Sequence, residues 1–285
     1  MQAQSQAAFD FVRTLAAELS GGNLDLPSFP EIAIRVRRVL SDPKSSVEQV
    51  VRVVGSEPAL AARLLRISNS ASLNRSGRAV TDLRTAINRI GYNMVRSASI
   101  SFSMAQIRKS NKLAGLEHHL NELWQRSTVV AAFSYVLARN YTKVNPDEAM
   151  LTGMMHGIGK LYVLTRVIDH PELFASHTML NQIISEWHTS IGKAILENWN
   201  FSESMAQAVG DQADFNRNED GPPDLTDVVA VAIIMAAHVE DSSGLEAALS
   251  DLGAVRRLGL DEAKTQAVMS ESAAEVTALS QALGE

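Results

Sequence analysis

Apolar residues recur along this chain at the three- and four-residue spacing of amphipathic helices, almost from end to end. Met1 to Ser20 predicts a first helix, stopped by Gly21-Gly22. Leu26-Pro27-Ser28-Phe29-Pro30 opens the next, with Pro30 suited to a first turn, and Ile32, Ile34, Val36, Val39 and Leu40 continue it. Ser45 or Ser46 can cap a helix carrying Val47, Val50, Val51 and Val54. Pro58 starts another, in which Leu60, Leu64 and Ile67 share one face while Arg63 and Arg66 lie towards a different one. Thr81 caps Asp82 to Ile90, and Gly91 breaks the pattern before Tyr92 to Ile107.

From Gly115 the predicted helices lengthen. Leu116 to Asn140 contains Trp124, Val129, Phe133 and Leu137. Asn145-Pro146-Asp147-Glu148 supplies a cap, a first-turn proline and an early acid, and predicts a helix from Asp147 to Thr165. Leu180 to Trp199 and Ser202 to Phe215 follow, then a polar loop with Gly221-Pro222-Pro223, then the apolar helix Leu225 to Val239. The alanine-rich, acidic stretch from Asp241 predicts one or two terminal helices. Val50 to Val54 is β-branched but isolated, so the fold class is all-α. The boundaries divide the chain into an N-terminal helix (1–22), an N-terminal helical lobe (23–110), a second helical lobe (111–240) and a C-terminal extension (241–285).

A chain of 285 residues can bury a substantial core. No apolar run reaches the ~20 residues that span a bilayer. No cysteine is present, which excludes a disulfide framework and thiolate chemistry. Without an export signal the expected compartment is the cytoplasm. The net charge of −6 hides an asymmetry: residues 1–110 hold 15 Lys and Arg against 8 Asp and Glu, and residues 111–285 hold 11 against 24. Arginine dominates the basic part and suits bidentate contacts. With no interleaved aromatics and an acidic chain as a whole, the basic lobe is expected to meet an acidic surface rather than nucleic acid. Trp124, Trp187 and Trp199 read as anchors between helices.

No nucleophile–base pair, glycine-rich phosphate loop or HEXXH-type spacing occurs. The informative stretch is instead Gly153-Met154-Met155-His156-Gly157-Ile158-Gly159-Lys160. It stands in order with Leu26-Pro27-Ser28-Phe29-Pro30-Glu31, Ser56-Glu57-Pro58-Ala59-Leu60-Ala61-Ala62-Arg63-Leu64-Leu65-Arg66 and Ser68-Asn69-Ser70-Ala71. Thr85-Ala86-Ile87, Ile90-Gly91-Tyr92 and His188-Thr189-Ser190-Ile191-Gly192-Lys193-Ala194-Ile195-Leu196 complete the set. From about Leu24 to Val239 this resembles the HDOD family, the HD-related output domain of bacterial signalling proteins. The resemblance implies an HD-like lobe joined to an N-terminal helical lobe. It also implies a non-catalytic role in signal transduction through a signalling partner, in two-component or cyclic-dinucleotide pathways. Residues 1–23 are too few for a receiver domain, so a phosphorylation input would come from a separate chain.

A working HD phosphohydrolase would carry His-Asp where this chain has His156-Gly157, and a first histidine near Arg126. Its late aspartate would fall at Ala237, or at His238 with a slip of one, and a downstream histidine pair would fall at Asp211-Gln212. His156 and His188 remain, with Asp211 as a distant third, and metals at such sites need several converging ligands. The resemblance therefore implies a degenerate site of Arg126, His156, Gly157, Lys160, His188 and Asp211, with no metal, no cofactor and no catalytic residue. Both histidines also read as packing residues bonded to backbone carbonyls, and Gly157 and Gly159 as marks of a close helix crossing. Arg126 and either Lys160 or His188 are expected beside His156, where a buried guanidinium could retain an anion, unless Arg126 and Lys160 pair with acids such as Glu122 or Glu186. Two rival functions stay open: a metal-dependent phosphohydrolase with a non-standard ligand set, and a nucleotide- or anion-binding module. Ser68, Asn69 and Ser70 are expected near the contact between lobes, the Asn69 amide holding them together, unless the segment is only a local cap. The segment after Asp241 is expected to mediate docking or self-association, with the oligomeric state open.

Overall fold

A computed structural model describes residues 2–21, 31–69, 74, 78–108, 115–170, 173, 177–199, 201–215, 217, 221–250, 252–271, 273 and 277. Its helices are α1 (Gln2–Gly21), α2 (Glu31–Ser41), α3 (Val47–Gly55), α4 (Pro58–Ser68), α5 (Leu83–Arg108), α6 (Glu117–Tyr141) and α7 (Pro146–Met155). Then come α8 (Ile158–Arg166), a 3-10 turn (Val167–Asp169), α9 (His177–Asn198), α10 (Glu203–Asp211) and α11 (Leu225–Ala237). Short helices α12 (Leu245–Ser250), α13 (Gly253–Leu258) and α14 (Glu262–Glu271) follow. The described residues contain no strand, and the β-branched run lies within α3, so the fold is all-α. The Leu26–Pro30 turn and Ser70 lie outside the described residues.

Local chemistry fixes most starts. Ser46 and Gln49 form a reciprocal capping box on α3, and Asp224 and Asp227 form another on α11. The Asn145 side chain accepts from the Asp147 and Glu148 amides, and Pro146 occupies the first turn of α7. Gly91 breaks the helical path within α5 as the sequence predicts, taking the non-helical φ +77° and ψ 164°, which glycine adopts without a Cβ penalty. Three expectations change. The helix expected from Asp147 to Thr165 is two, α7 and α8, with the turn at His156-Gly157. The terminal stretch makes three short helices rather than one or two. Arg63 is buried with Leu60 and Leu64 instead of facing away from them, and its guanidinium donates to Ser101 Oγ at 2.9 Å.

Packing joins these elements into two layers around α5. Helices α2, α3 and α4 pack against α5, which also packs on α6 and α7. The α6–α7 pair closes on Gly153, where a Cβ would stand 2.9 Å from Ala131 Cα. Helix α11, buried along most of its length, lies against α6, α7 and α10, and α8 packs on α9. Leu60, Leu64, Ile87, Leu137, Met150 and Val231 are completely buried, each such side chain contributing roughly 1.5–3 kcal/mol. Helix α1 docks on the second lobe. Phe11 meets the His170 ring edge-on at 5.1 Å, and Glu18 accepts from the Tyr162 hydroxyl and pairs with Arg166 at 3.0 Å. Burial and the Glu18 bond push the Tyr162 hydroxyl up to about 12.

The lobes also meet through two cation–ring contacts. The Arg37 guanidinium lies 5.5 Å from the Trp199 ring centre, and that of Arg96 lies 5.7 Å from Phe201. The described side-chain hydrogen bonds of Ser68 and Asn69 lie within the first lobe. The Asn69 amide donates to the Leu65 and Val80 carbonyls at 2.9 and 2.8 Å, and its oxygen accepts from the Val80 amide at 2.7 Å. Ser68 Oγ donates to the Leu65 carbonyl. Asn69 thus ties the end of α4 to the strand-like entry of α5, inside the first lobe, because a short amide reaches backbone nearby before it reaches another lobe.

The C-terminal segment folds back on α11. Asp227, 2% exposed, receives the Arg257 side chain through Nε at 2.9 Å and Nη2 at 2.6 Å, while Arg217 bridges Asp224 and Asp227. Asp227→Ala should cost about 3–5 kcal/mol in urea unfolding, since it strands the partly buried Arg257 guanidinium. Asn69→Ala should cost about 2–3 kcal/mol through its three lost hydrogen bonds. Hydrogen exchange should then accelerate at Val80 and leave the Trp199 and Phe201 seam protected.

Candidate functional site

The cassette occupies the turn between α7 and α8. His156 closes α7, and its ring Nδ1 donates to the Gly153 carbonyl at 2.7 Å. The residue is 2% exposed, and its Nε2 has no hydrogen-bond partner among the described residues. Burial drives its pKa down to about 3; the Gly153 bond opposes this, while the positive charges of Lys160 and Arg126 add to it, as does His188. At neutral pH the ring is uncharged, with its lone pair on Nε2. Gln212 Nε2 donates to the His156 carbonyl and to that of Val209, both at 2.9 Å.

Each glycine of the cassette meets a different neighbour. A Cβ at Gly157 would stand 2.6 Å from Leu123 Cδ1 and 3.2 Å from Ser127 Oγ, so a carboxylate there would have to displace the Leu123 side chain. A Cβ at Gly159 would stand 1.9 Å from the His188 carbonyl oxygen and 2.9 Å from the Gly192 amide. Those are backbone atoms of α9, which cannot turn aside. Gly159 therefore marks the close helix crossing, whereas Gly157 faces a side chain of α6.

Lys160 and Arg126 line one side of a cleft of about 630 Å³ between α6, α8, α9 and the end of α11. Burial and the neighbouring Arg126 lower the Lys160 pKa. Arg126 is exposed rather than buried, and among the described residues neither cation has an ion-pair partner. His188 donates Nδ1–H to the Ile184 carbonyl at 2.8 Å, and burial, with Lys160 second, lowers its pKa. Asp211 is placed elsewhere: its carboxylate accepts from Gln207 on the same helix, and it is Gln212 that turns inward. Ala237 lines the cleft, while His238 bonds to the Ile234 carbonyl at 2.9 Å. Among the described residues no three His, Cys, Asp or Glu side chains converge as a metal site would need. Sequence reasoning missed the roles of Leu123 and Ser127; they stand four residues apart, one helical turn, on the helix of Arg126, and that spacing was the available signal.

A family model described as the HDOD domain matches residues 26–215. The chain belongs to the HDOD family. A crystal structure from Shewanella amazonensis SB2B, described as a "Putative metal-dependent phosphohydrolase", is 25% identical, with a TM-score of 0.74, over 98% of this chain and 99% of that one. An HDOD domain protein with unknown function from Geobacter sulfurreducens has the same fold, with 20% identity, a TM-score of 0.64, and coverage of 95% and 97%. An uncharacterized protein of Treponema pallidum (strain Nichols) is 23% identical over 212 residues, 68% of this chain, and this chain spans 39% of that protein's length. The HDOD match and the Shewanella amazonensis structure support an HD-related domain. Among the described residues no helix is long and apolar enough to cross a membrane.

The neutral, buried His156 has a pH consequence. Its folded pKa lies below the unfolded value of 6.5, so the unfolded chain binds the extra proton. This contribution is complete above pH 6.5 and is lost as pH falls towards about 3, at no more than ~1.4 kcal/mol per pH unit. Urea unfolding at pH 7, 6 and 5 should show a steeper loss for the native chain than for His156→Gln. Equal slopes would count against the buried neutral ring.

Proposed function

We propose that this HDOD protein is a non-catalytic regulatory domain that acts through protein–protein contacts, with an HD-type metal site that has lost its chemistry. The carrying observation is at residue 157, where the missing acid coincides with space taken by Leu123 and Ser127. The donor set does not fit a divalent cation. Two neutral histidines offer at most two imidazole ligands without a carboxylate, and the positive charges of Lys160 and Arg126 oppose a further cation. Contact with a signalling partner of a two-component or cyclic-dinucleotide pathway is the role that the family resemblance implies. The exposed arginines of the first lobe, Arg35, Arg38, Arg52 and Arg66, suit an acidic partner surface, where complementary charge adds association rate and specificity.

The rival reading is a metal-dependent phosphohydrolase, favoured by the description of the Shewanella amazonensis relative. It would need ligands that the described residues do not bring together. Elemental analysis of protein purified without added metal, with hydrolysis of bis(p-nitrophenyl) phosphate in the presence of manganese, separates the two. The expected result is substoichiometric metal, turnover no greater than buffer, and the same result for Gly157→Asp, because Leu123 closes on that side chain. Stoichiometric zinc, iron or manganese with turnover would replace this proposal by the rival one.

A further inference from the structure

The cleft beside the cassette holds two cations, Arg126 and Lys160, that form no ion pair among the described residues, although Glu122 and Glu240 also line it. Arg126 on α6 and Lys160 on α8 share one wall, and among the described residues neither has a hydrogen-bonded or ion-paired carboxylate. Glu122 also lines the cleft but is turned to His118 at 3.3 Å. Lys160 is half-buried, and both its burial and Arg126 disfavour its charged form. A partly dehydrated ammonium beside a permanent guanidinium is relieved by an anion with several acceptor oxygens. Leu123, Val129, Leu164 and Ile184 form an apolar part of the lining, His119, Gln125, Asn181 and Glu240 a polar part, and at about 630 Å³ the space is that of a small-molecule pocket.

We propose that this cleft binds a small organic phosphate, with the phosphoryl oxygens between Arg126 and Lys160 and an apolar or aromatic group against Leu123, Val129, Leu164 and Ile184. The guanidinium offers a planar fork to two oxygens and the ammonium a point donor to a third. Inorganic phosphate would satisfy the cations and leave the apolar wall wet. An uncharged nucleoside would cover the wall and leave the cations unpaired. The inference rests on the reading that the site no longer takes a metal, and it adds a ligand that could bias the domain towards or away from its partner.

Titration calorimetry and thermal shift on the full chain test this with AMP, phenyl phosphate, inorganic phosphate and adenosine. AMP or phenyl phosphate should bind and raise Tm, at least roughly tenfold more tightly than inorganic phosphate or adenosine. Arg126→Ala and Lys160→Met should each weaken that binding by roughly tenfold or more. Lys160→Met should leave the ligand-free Tm unchanged or higher, since it removes an unpaired, partly buried charge. Arg126 is exposed, so its variant keeps the test valid if Lys160→Met folds poorly. Binding by neither organic phosphate, equal binding of inorganic phosphate or adenosine, or unaltered affinity in both variants would overturn the site. Metal content is read separately, so such a failure leaves the non-catalytic reading standing.

Discussion

The architecture of the second lobe depends on how closely α8 approaches α9. At Gly159 the two backbones come so near that even one methyl group would overlap the His188 carbonyl. Gly192, one turn further along α9, continues the contact and in turn admits Val209 of α10. This crossing brings Lys160 and His188 within electrostatic reach of each other and sets the turn that buries His156. Much of the cassette is therefore needed for packing whether or not it performs chemistry. A chain can lose the acid at residue 157 and still require the glycine at 159.

Electrostatics in the same region point away from metal binding. Burial keeps both histidines neutral, and each donates Nδ1–H to a carbonyl of its own helix. Arg126 and Lys160 border the cleft together with Glu122, which pairs with His118, and Glu240. Other acids of the second half hold the terminal helices. Asp227 and Asp224 pin Arg217 and Arg257, and through them the terminal helices fold against α11. That makes the described C-terminal helices part of the core, with Leu249, Leu252 and Leu258 buried.

Most of the helical layout was legible because it rests on local chemistry: the caps at Ser46, Asn145, Ser202 and Asp224 are short-range signals that tertiary contacts reinforce. The break at His156-Gly157 was hidden because the apolar pattern continues across it, the whole segment being buried. The face of Arg63 was misjudged for a related reason: periodicity separates apolar from polar but cannot show that a guanidinium is received by a serine 38 residues away. The docking of α1 on Tyr162 and Arg166 and the ring contacts of Arg37 and Arg96 are likewise long-range pairings with no trace in local spacing. In the candidate site, the identity of the missing acid could be read from the cassette. What filled its space could not, because Leu123 lies on a different helix.

Equilibrium unfolding of Gly159→Ala tests the central claim, that the cassette is held by packing, most directly. Helix propensity alone would make alanine better by about 1 kcal/mol inside α8. Contact with the His188 backbone should reverse that sign and destabilise the protein by about 2–3 kcal/mol or more. Gly157→Ala, facing only the movable Leu123 and Ser127 side chains, should lose less. A Gly159→Ala protein as stable as the native chain, or more stable, would contradict the account.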